Sequence, residues 1–394
     1  MRNIIFKSHK AIDFCDDVRD GTHDSPKHLD SGKILITSKN IKGDTIDFEN
    51  ISYISEEDFN KINERSLVEK NDILYSMIGT IGLVYRVDCN PDYAIKNMGL
   101  FKISNELKSK WLYYFLKTPK TMDMIYSKLN GSTQKFISLS NLRNLEIEYP
   151  EDENDAKRIV KLLESIDYRI RINSEINNNL HELCNNLYFK LVSQLNDTNS
   201  SVESIKNVAK CVLGGTPSRT KKEYWNGSIN WINSGEINKF RIIKASEKIT
   251  ELGLNKSSTT LLPIGTTVLA ITGATLGQVS RLEIDSCANQ SVIGIITNEK
   301  ELNNYMYLSI LNSINDLVLK QTGGAQQHIN KNDVETHEII VPSMKLISQF
   351  DEIIRPLFDQ ISVNCFEINK LEQLRDTLLP KLMNGEIDLD NLEI

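Results

Sequence analysis

The sequence has no long uncharged apolar run and no opening segment of the signal-peptide type. A helix that crosses a bilayer needs roughly 18 or more apolar residues in succession, and no window of this 394-residue chain approaches that composition. The opening segment, MRNIIFKSHK, also lacks the apolar stretch of a secretory signal. We therefore expect a soluble cytoplasmic protein, long enough for two domains of ordinary size.

Patterns for metal binding and for disulfides are absent too. The cysteines stand singly, without a C-x-x-C pair and without a histidine at ligand spacing. Neither a zinc site nor a disulfide framework is therefore predicted. The six cysteines are Cys15, Cys89, Cys184, Cys211, Cys287 and Cys365.

Several catalytic motifs are also missing. Without a Pro-Pro dipeptide, the chain lacks the Asn/Asp-Pro-Pro-aromatic loop in which adenine methyltransferases hold the exocyclic amine. It has no G-x-x-x-x-G-K-[ST] loop to cradle nucleotide phosphates. His23, His28, His328 and His337 have no serine or cysteine at a spacing that indicates a hydrolytic triad. We therefore predict no catalytic residue in this chain.

One loose match to a nuclease pattern remains. Asp92, after Pro91, is followed by Glu106 and Lys108, and the two carboxylates are suitable Mg²⁺ ligands. However, Glu106 opens the predicted helix ELKSKWLYYFLK, whereas the pattern places this carboxylate on a strand. DNA cleavage by this chain is therefore the weakest of the hypotheses considered.

The net charge of −7 is unevenly distributed. The acidic excess lies in residues 151–200 and 343–394, whereas residues 1–150 and 201–342 are close to neutral. The stretch from Arg219 to Lys256 is locally basic, and clustered Lys and Arg are what phosphate contact requires. The charge pattern therefore permits a nucleic-acid partner.

The chain contains an internal duplication. Sliding it on itself by about 191 to 196 residues aligns related segments in the same order. The near-constant offset indicates two copies of one domain. Gly21-Thr22 falls on Gly215-Thr216, ILITSKNI on NWINSGEI, Thr80-Ile81-Gly82 on Thr275-Leu276-Gly277, GSTQKFIS on GGAQQHIN, and Pro150 on Pro342.

Each copy mixes short apolar runs, which predict strands, with helical stretches. A last strand in each copy leads to the paired prolines, which cannot continue a ladder. The predicted fold class is therefore α/β (α+β), in units of about 150 residues. The predicted strands are 34–36, 73–75, 100–103, 145–149, 267–271, 292–296 and 338–341, and the predicted helices include 111–117 and 303–312.

After each proline the periodicity becomes heptad-like. Steps of three and four residues select mostly apolar side chains in both copies, and an asparagine stands at the same step of each. In a coiled coil such an asparagine costs stability but fixes the register, so Asn173 and Asn364 are the candidate register residues of two long antiparallel helices. The seams are Leu163, Ile166, Ile170, Asn173, Asn177, Leu180, Cys184, Leu187 and Leu191, and Ile354, Leu357, Ile361, Asn364, Ile368, Leu371, Arg375, Leu378 and Leu382.

These segments together resemble the specificity subunit of Type I restriction-modification enzymes. The similar segments are LGGTPSRTKKEYWNGSINWINSGEI, TGATLG, GGAQQHIN and the closing LLPKLMNGEIDL, with DGTHDSPKHLDSGKILITSKNI and NGSTQKFIS as a diverged first copy. The first copy departs at Ile78 and at Lys135-Phe136, which stand where the second has Gly273 and Gln327-His328. The resemblance implies a target-recognition domain in residues 1–150, a spacer helix in 151–197, a second recognition domain in 198–342, and a distal helix and tail in 343–394.

The resemblance also implies function and partners. Each recognition domain is expected to read one half of a bipartite asymmetric site in double-stranded DNA. The helices are expected to set the gap between the halves and to hold two modification (methyltransferase) subunits, with restriction/translocase subunits joining for cleavage. S-adenosylmethionine, ATP and Mg²⁺ are expected on those partner subunits, and no cofactor is expected on this chain. A stand-alone two-headed DNA-binding regulator is the principal alternative.

Glycine-rich polar loops suit DNA contact, because backbone amides can approach phosphate while neighbouring side chains reach base edges. Glutamine can pair with adenine through two hydrogen bonds, and Arg and Lys can contact phosphate or guanine. Simple turns are the alternative role for these loops, and core positions are the alternative for Trp225 and Trp231. The candidate DNA-binding residues are Gly131, Ser132, Thr133, Gln134, Lys135, Arg219, Lys221, Lys222, Gly323, Gly324, Gln326, Gln327 and His328.

Overall fold

The computed structural model describes residues 4–131, 135–319 and 328–387. They form two compact units: the first combines the chain up to Tyr168 with the segment from Leu371 onward, and the second comprises Arg169–Lys370. The division falls inside two long helices, so the domain boundaries drawn from the sequence stay a prediction. Within the described ranges, no helix is long and apolar enough to span a membrane.

The first unit contains most of the strands. They are β1 (Phe6–Lys10), β2 (Asp17–Asp20), β3 (Lys33–Ile36), β4 (Ile41–Lys42), β5 (Thr45–Ile46), β6 (Ser52–Ile54), β7 (Ile73–Ser76), β8 (Val84–Arg86), β9 (Tyr93–Ile95), β10 (Met98–Lys102) and β11 (Glu146–Pro150). Its helices are α1 (Ala11–Phe14), α2 (Glu56–Ser66), α3 (Glu106–Leu116), α4 (Pro119–Ser127), α5 (Leu139–Arg143) and the beginning of α6 (Glu153–Val192).

The second unit repeats most of this order of elements and, among the residues described, has no strand pair that corresponds to β4 and β5. Its strands are β12 (Ser200–Ser204), β13 (Ala209–Leu213), β14 (Trp225–Ile232), β15 (Glu247–Ile249), β16 (Thr267–Ala270), β17 (Val279–Arg281), β18 (Cys287–Ala288), β19 (Val292–Thr297) and β20 (Glu338–Pro342). Its helices are α7 (Ile205–Val208), α8 (Glu251–Asn255), α9 (Asn303–Leu319), α10 (Lys331–Glu335) and the first part of α11 (Met344–Met383).

Apart from the β4-β5 pair of the first unit, the described sheets of the two units have the same topology. A four-stranded antiparallel sheet has the order β2-β10-β7-β8 in the first unit and β13-β19-β16-β17 in the second. A three-stranded sheet, β6-β3-β9 or β15-β14-β18, combines one antiparallel and one parallel pair. The last strand pairs with the first, so that Pro150 lies opposite Phe6 and Pro342 opposite Ser200. The duplication seen in the sequence is therefore a duplication of the fold.

Helix caps recur at matched places because the sequence supplies side-chain oxygens there. Ser138 accepts a hydrogen bond from the Asn141 amide at the start of α5, and Asn330 accepts one from the Asp333 amide at the start of α10. Such caps satisfy amides that have no partner inside the helix. The last residue of GSTQKFIS and of GGAQQHIN is thus a helix N-cap in both copies.

Each unit contains one segment of α6 and one of α11, packed antiparallel. In the second unit, the side-chain amide of Asn364 donates to Oδ1 of Asn177 at 2.9 Å, and Asn177 donates to the Cys365 sulfur at 3.4 Å. In the first unit, Arg375 donates to Asp167 at 3.0 Å. All seam positions are buried or half-buried, and the predicted antiparallel helix pair is confirmed.

The two candidate register residues do not pair with each other. Asn364 pairs with Asn177, whereas the buried Nδ2 of Asn173 has no hydrogen-bond partner among the described residues. Because the two helices run in opposite directions, Asn364 on α11 faces Asn177, which lies about one turn along α6 from Asn173. Their role in fixing the register stays a prediction.

The core of the first unit uses side chains from both ends of the chain. Trp111, fully buried on α3, belongs to a cluster that also contains Leu379, Leu382 and Met383 from the end of α11. Its ring Nε1 donates to the carbonyl of Glu148 on β11 at 2.8 Å. The last turns of α11 are therefore part of the first domain's core.

Candidate nucleic-acid interface

Two loops lie side by side in the first domain. The loop between β7 and β8 contains Gly79 and Gly82 with positive φ, and it is closed by the Ser76 hydroxyl, which donates to the carbonyl of Thr80 at 2.6 Å. The second loop follows Asn130, and its Phe136 forms β-bridges with Ile78 and Asn130. These loops bring together two segments that are more than fifty residues apart in the sequence.

The second domain repeats this pair of loops. Thr272 bridges to His328, and the Ile329 amide donates to the carbonyl of Ile271 at 3.0 Å. Gly273 and Gly277 have positive φ. A Cβ at Gly273, as at Gly79, would meet open space, so these two positions require glycine for their backbone conformation and leave room for an approaching ligand.

The structure describes only part of the two candidate loops. Gly131 and Lys135 are exposed on either side of the first loop, and His328 is exposed beside Thr272 in the second. The remaining candidates, Ser132, Thr133, Gln134, Gly323, Gly324, Gln326 and Gln327, lie outside the described residues. DNA contact by any of these residues stays a prediction.

Arg219 is held by side chains of its own domain. Its guanidinium donates to both carboxylate oxygens of Glu247, at 2.5 and 2.8 Å, and lies 3.7 Å from the ring centroid of Trp225 and 5.0 Å from that of Trp231. The hydrogen bonds with Glu247 raise the pKa of Arg219 and lower that of Glu247. These contacts therefore tie Arg219, in the loop before β14, to Glu247 on β15 and to the two tryptophans of β14.

The neighbouring lysines differ from each other. Lys221 donates to the Tyr224 hydroxyl at 3.0 Å, whereas the side chain of Lys222 is exposed and makes no hydrogen bond or ion pair with the residues that the structure describes. Trp231 is buried and Trp225 half-buried, and their indole N–H groups donate to the carbonyls of Gly215 and Ser218. Of the three candidate cations Arg219, Lys221 and Lys222, Lys222 is therefore the most available.

The basic stretch is less exposed than its composition indicates. The Arg241 side chain is fully buried, 3.4 Å from a Glu283 oxygen, where it donates to the Tyr307 hydroxyl at 3.0 Å. Lys239 pairs with Glu236 and Lys244 bonds Asn369. Arg241 belongs to the basic stretch Arg219 to Lys256 but adds no charge to its surface, because its guanidinium is buried against Tyr307 and Glu283.

Asp20 and His23, in the DGTH segment, form a hydrogen-bonded cluster with an arginine and an amide. His23 Nε2 lies 2.9 Å from Asp20, and Nδ1 lies 2.9 Å from the Asn97 oxygen. Arg65 also pairs with the buried Asp20. The hydrogen bond to Asn97, followed by that to Asp20, raises the pKa of His23. No Ser or Cys nucleophile belongs to this cluster among the described residues. Its hydrogen bonds and ion pair join the DGTH segment to Asn97 and Arg65.

The acidic nuclease-like match is divided between two ion pairs. Asp92 is exposed and pairs with Lys33 at 3.1 Å, whereas Glu106 begins α3, as predicted, and pairs with Lys110 at 2.8 Å. In the described part of the chain, no group of three or more His, Cys, Asp or Glu side chains is placed to hold a metal ion. All six cysteines are free thiols.

A family model described as "Type I restriction modification DNA specificity domain" matches residues 24–182 and 198–374. The HindI specificity subunit of Haemophilus influenzae is 27% identical over 190 residues, which cover 47% of this chain and 41% of the relative. The MjaIX specificity subunit of Methanocaldococcus jannaschii is 25% identical over 306 residues, covering 72% and 70%. The crystal structure of an S subunit from M. genitalium aligns with a TM-score of 0.62, covering 97% of both chains at 17% identity, which supports the fold alone.

Proposed function

The chain belongs to the Type I restriction modification DNA specificity family, and we propose that it is the DNA-reading and assembly subunit of a Type I restriction-modification enzyme. Each recognition domain reads one half of a bipartite asymmetric site. The helices α6 and α11 carry two modification subunits, and restriction/translocase subunits join that complex for cleavage.

The paired loops of each domain carry this proposal. Their backbone frame is the same in both domains: positive-φ glycines in the first loop, a β-bridge to the second, and an N-cap directly after it. Their side chains differ, with Lys135-Phe136 in one copy and Gln327-His328 in the other. A common frame with different side chains suits the reading of two different half-sites, since base edges are distinguished by their donors and acceptors.

A repeated apolar position on the helices supports the assembly role. Leu183 on α6 is 45% exposed and Leu374 on α11 is 47% exposed, and the two stand 191 residues apart, at matched steps of the duplicated helix. A single exposed apolar side chain is common on protein surfaces, but its recurrence at the matched step of both helices is what two equivalent contacts would require. The same surface on both copies therefore suits two copies of one partner subunit.

We assign no catalytic step to this chain. The methyl transfer, with S-adenosylmethionine, and the ATP- and Mg²⁺-dependent steps belong to the partner subunits in this proposal. The cytoplasmic location follows from the same proposal, because the substrate is cellular DNA.

The proposal is tested by co-expressing the tagged chain with its cognate modification subunit. We expect a complex with two modification subunits per chain, which methylates a two-part asymmetric site when cellular DNA is mapped by long-read sequencing. The chain alone should methylate nothing. A monodisperse lone chain that binds one site tightly and recruits no modification subunit would contradict the assembly role and favour the stand-alone regulator.

A further inference from the structure

Equivalent aromatic residues anchor α3 and α9 to the last strand of their domains. Trp111 donates its ring N–H to the Glu148 carbonyl, and Tyr305 donates its hydroxyl to the Ile340 carbonyl at 2.5 Å. Trp111 and Tyr305 therefore occupy the same place in the two copies. Three residues further along each helix, Tyr114 corresponds to Leu308.

The long helices supply equivalent residues opposite these positions. Because α6 and α11 are each 40 residues long and align at an offset of 191 residues, Asp167 on α6 corresponds to Phe358 on α11. At the same offset, Cys184 corresponds to Arg375. The set Tyr114, Asp167 and Arg375 of the first unit therefore corresponds to Leu308, Phe358 and Cys184 of the second. In each set one residue belongs to the recognition domain and two belong to the long helices.

In the first unit these three residues form a polar triad. The Tyr114 hydroxyl donates to Asp167 Oδ2 at 2.8 Å, and Arg375 donates to Asp167 Oδ1 at 3.0 Å. Tyr114 is buried, and the side chains of Asp167 and Arg375 are only 20% and 18% exposed. Both oxygens of the carboxylate are therefore used, one by the domain and one by the helix pair.

In the second unit the equivalent residues are apolar and buried. Leu308, Phe358 and Cys184 are all buried and belong to one hydrophobic cluster. The Arg241 guanidinium lies 5.2 Å from the Phe358 ring centroid, which adds a cation–π contact between this domain and α11. No carboxylate takes the place of Asp167 in this set.

We propose that these two triads restrict each recognition domain to its own end of the helix pair. A domain with Leu308 placed on Asp167 and Arg375 would leave one carboxylate oxygen without its donor. A domain with Tyr114 placed on Phe358 and Cys184 would bury a hydroxyl without an acceptor. The Tyr114 mismatch is costly because a buried polar group that loses its partner is not compensated by water. The Asp167 mismatch removes a hydrogen bond to a charged group whose side chain is 20% exposed, so water compensates it only in part.

The proposed restriction concerns how each recognition domain packs on the helix pair, and it is argued from the contacts in the fold. One consequence, that the order of the two half-sites is fixed by the protein, rests on the proposed function. A failure of DNA reading would leave the docking inference untouched, since the test below measures folding.

The test is a set of substitution cycles in the full chain, followed by urea unfolding and by hydrogen exchange of each unit. In the first unit, Tyr114→Leu and Asp167→Phe should each raise the unfolding constant roughly tenfold. Together with Arg375→Cys, in reducing buffer, they recreate the apolar triad. The unfolding constant of the combined variant should therefore be at least roughly tenfold lower than the value obtained by multiplying the separate effects.

The matched control combines residues of different units. Tyr114→Leu with Phe358→Asp breaks one triad in each unit, so its effects should simply multiply. If the effects of Tyr114→Leu, Asp167→Phe and Arg375→Cys also simply multiplied, the three residues would be energetically independent. The inference would then be overturned.

A second arm tests the exchange of domains directly. A full chain that carries residues 198–342 in both domain positions should be stabilised by Asp167→Phe with Arg375→Cys, whereas the same two substitutions should destabilise the natural chain. The sign should therefore reverse between the two backgrounds. The same sign in both would overturn the inference, and if the exchanged chain does not fold, the cycles within the natural chain still decide.

Discussion

Asn364 donates its side-chain amide to Asn177 across the helix pair of the second unit, at 2.9 Å. The duplication relates Asn364 to Asn173 and Asn177 to Ile368, so the symmetry-equivalent contact would join Asn173 with Ile368. An isoleucine offers no acceptor, and the Asn173 Nδ2 finds no other in the described part of the chain. The helix pair thus has one satisfied amide pair and, among the described residues, one buried amide nitrogen without a partner.

Substitution of the two asparagines should therefore have opposite effects. Asn364→Leu deprives Asn177 of its donor and should cost about 1–3 kcal/mol. Asn173→Leu replaces an unsatisfied amide with an apolar group in the seam and should stabilise the chain by about 1 kcal/mol. Urea unfolding, followed by the helical signal, measures both. Effects of the same sign in the two variants would argue against the observed pairing.

Lys222 and Arg219 should affect DNA binding and stability differently. Lys222→Gln removes an unpaired exposed cation and should reduce the salt dependence of DNA binding by about one counterion. Arg219→Gln breaks the pair with Glu247 and the contact with Trp225, so it should lower the stability of the second domain. Fluorescence anisotropy at several salt concentrations, with Lys190→Gln on α6 as the control, separates the two. A Lys222→Gln slope equal to that of the control would remove Lys222 from the interface.

The His23 cluster predicts a pH dependence of the first unit. The pKa of His23 is raised above its ordinary value of 6.5 by Asn97 and Asp20, so its contribution to stability is fully present below pH 6.5 and is lost as the pH rises through the folded-state pKa. We expect the first unit to be more stable at pH 5.5 than the His23→Gln variant, with the difference shrinking by pH 8. Hydrogen exchange at the Gly21 and Thr22 amides measures it. A difference that grew with pH would contradict the cluster.

The repeated leucine on the helices predicts the stoichiometry of partner binding. Leu183→Glu and Leu374→Glu should each reduce the complex from two modification subunits to one, because a carboxylate is too costly to bury in an apolar contact. The double variant should bind none. Native mass spectrometry of the co-expressed complex counts the subunits, with Leu261→Glu, at an exposed position of the second domain, as the control. Two bound subunits in both single variants would exclude this surface.

The repetitive parts of the structure could be predicted from the sequence. Heptad spacing located α6 and α11, and apolar runs located β3, β7, β10, β11, β16, β19 and β20, since both signals depend on residues that are close in the chain. The other strands, among them the long β14, were not predicted. The offset between copies also predicted that the two domains share one fold. Because each pattern occurs in both copies, its second occurrence supports the prediction made from the first.

Contacts between distant residues could not be predicted in this way. Arg219 is held by Glu247, and Arg241 is buried against Tyr307, because folding brings together residues that are 28 and 66 positions apart. Spacing contains no information on such partners. The same reason explains Asn177: which asparagine meets Asn364 depends on the antiparallel alignment of two helices and not on matched steps of the repeat.

The contribution of Leu379, Leu382 and Met383 to the core around Trp111 has a consequence for synthesis. A ribosome finishes the second unit, which ends at Lys370, before it has made the residues that complete the first. Domains usually fold in the order in which they leave the ribosome. Here the core of the first domain is incomplete until the end of α11 has been synthesised. The amino-terminal half is therefore exposed longest to aggregation and to proteases, and a nascent chain that stops after Lys370 leaves that half unfinished.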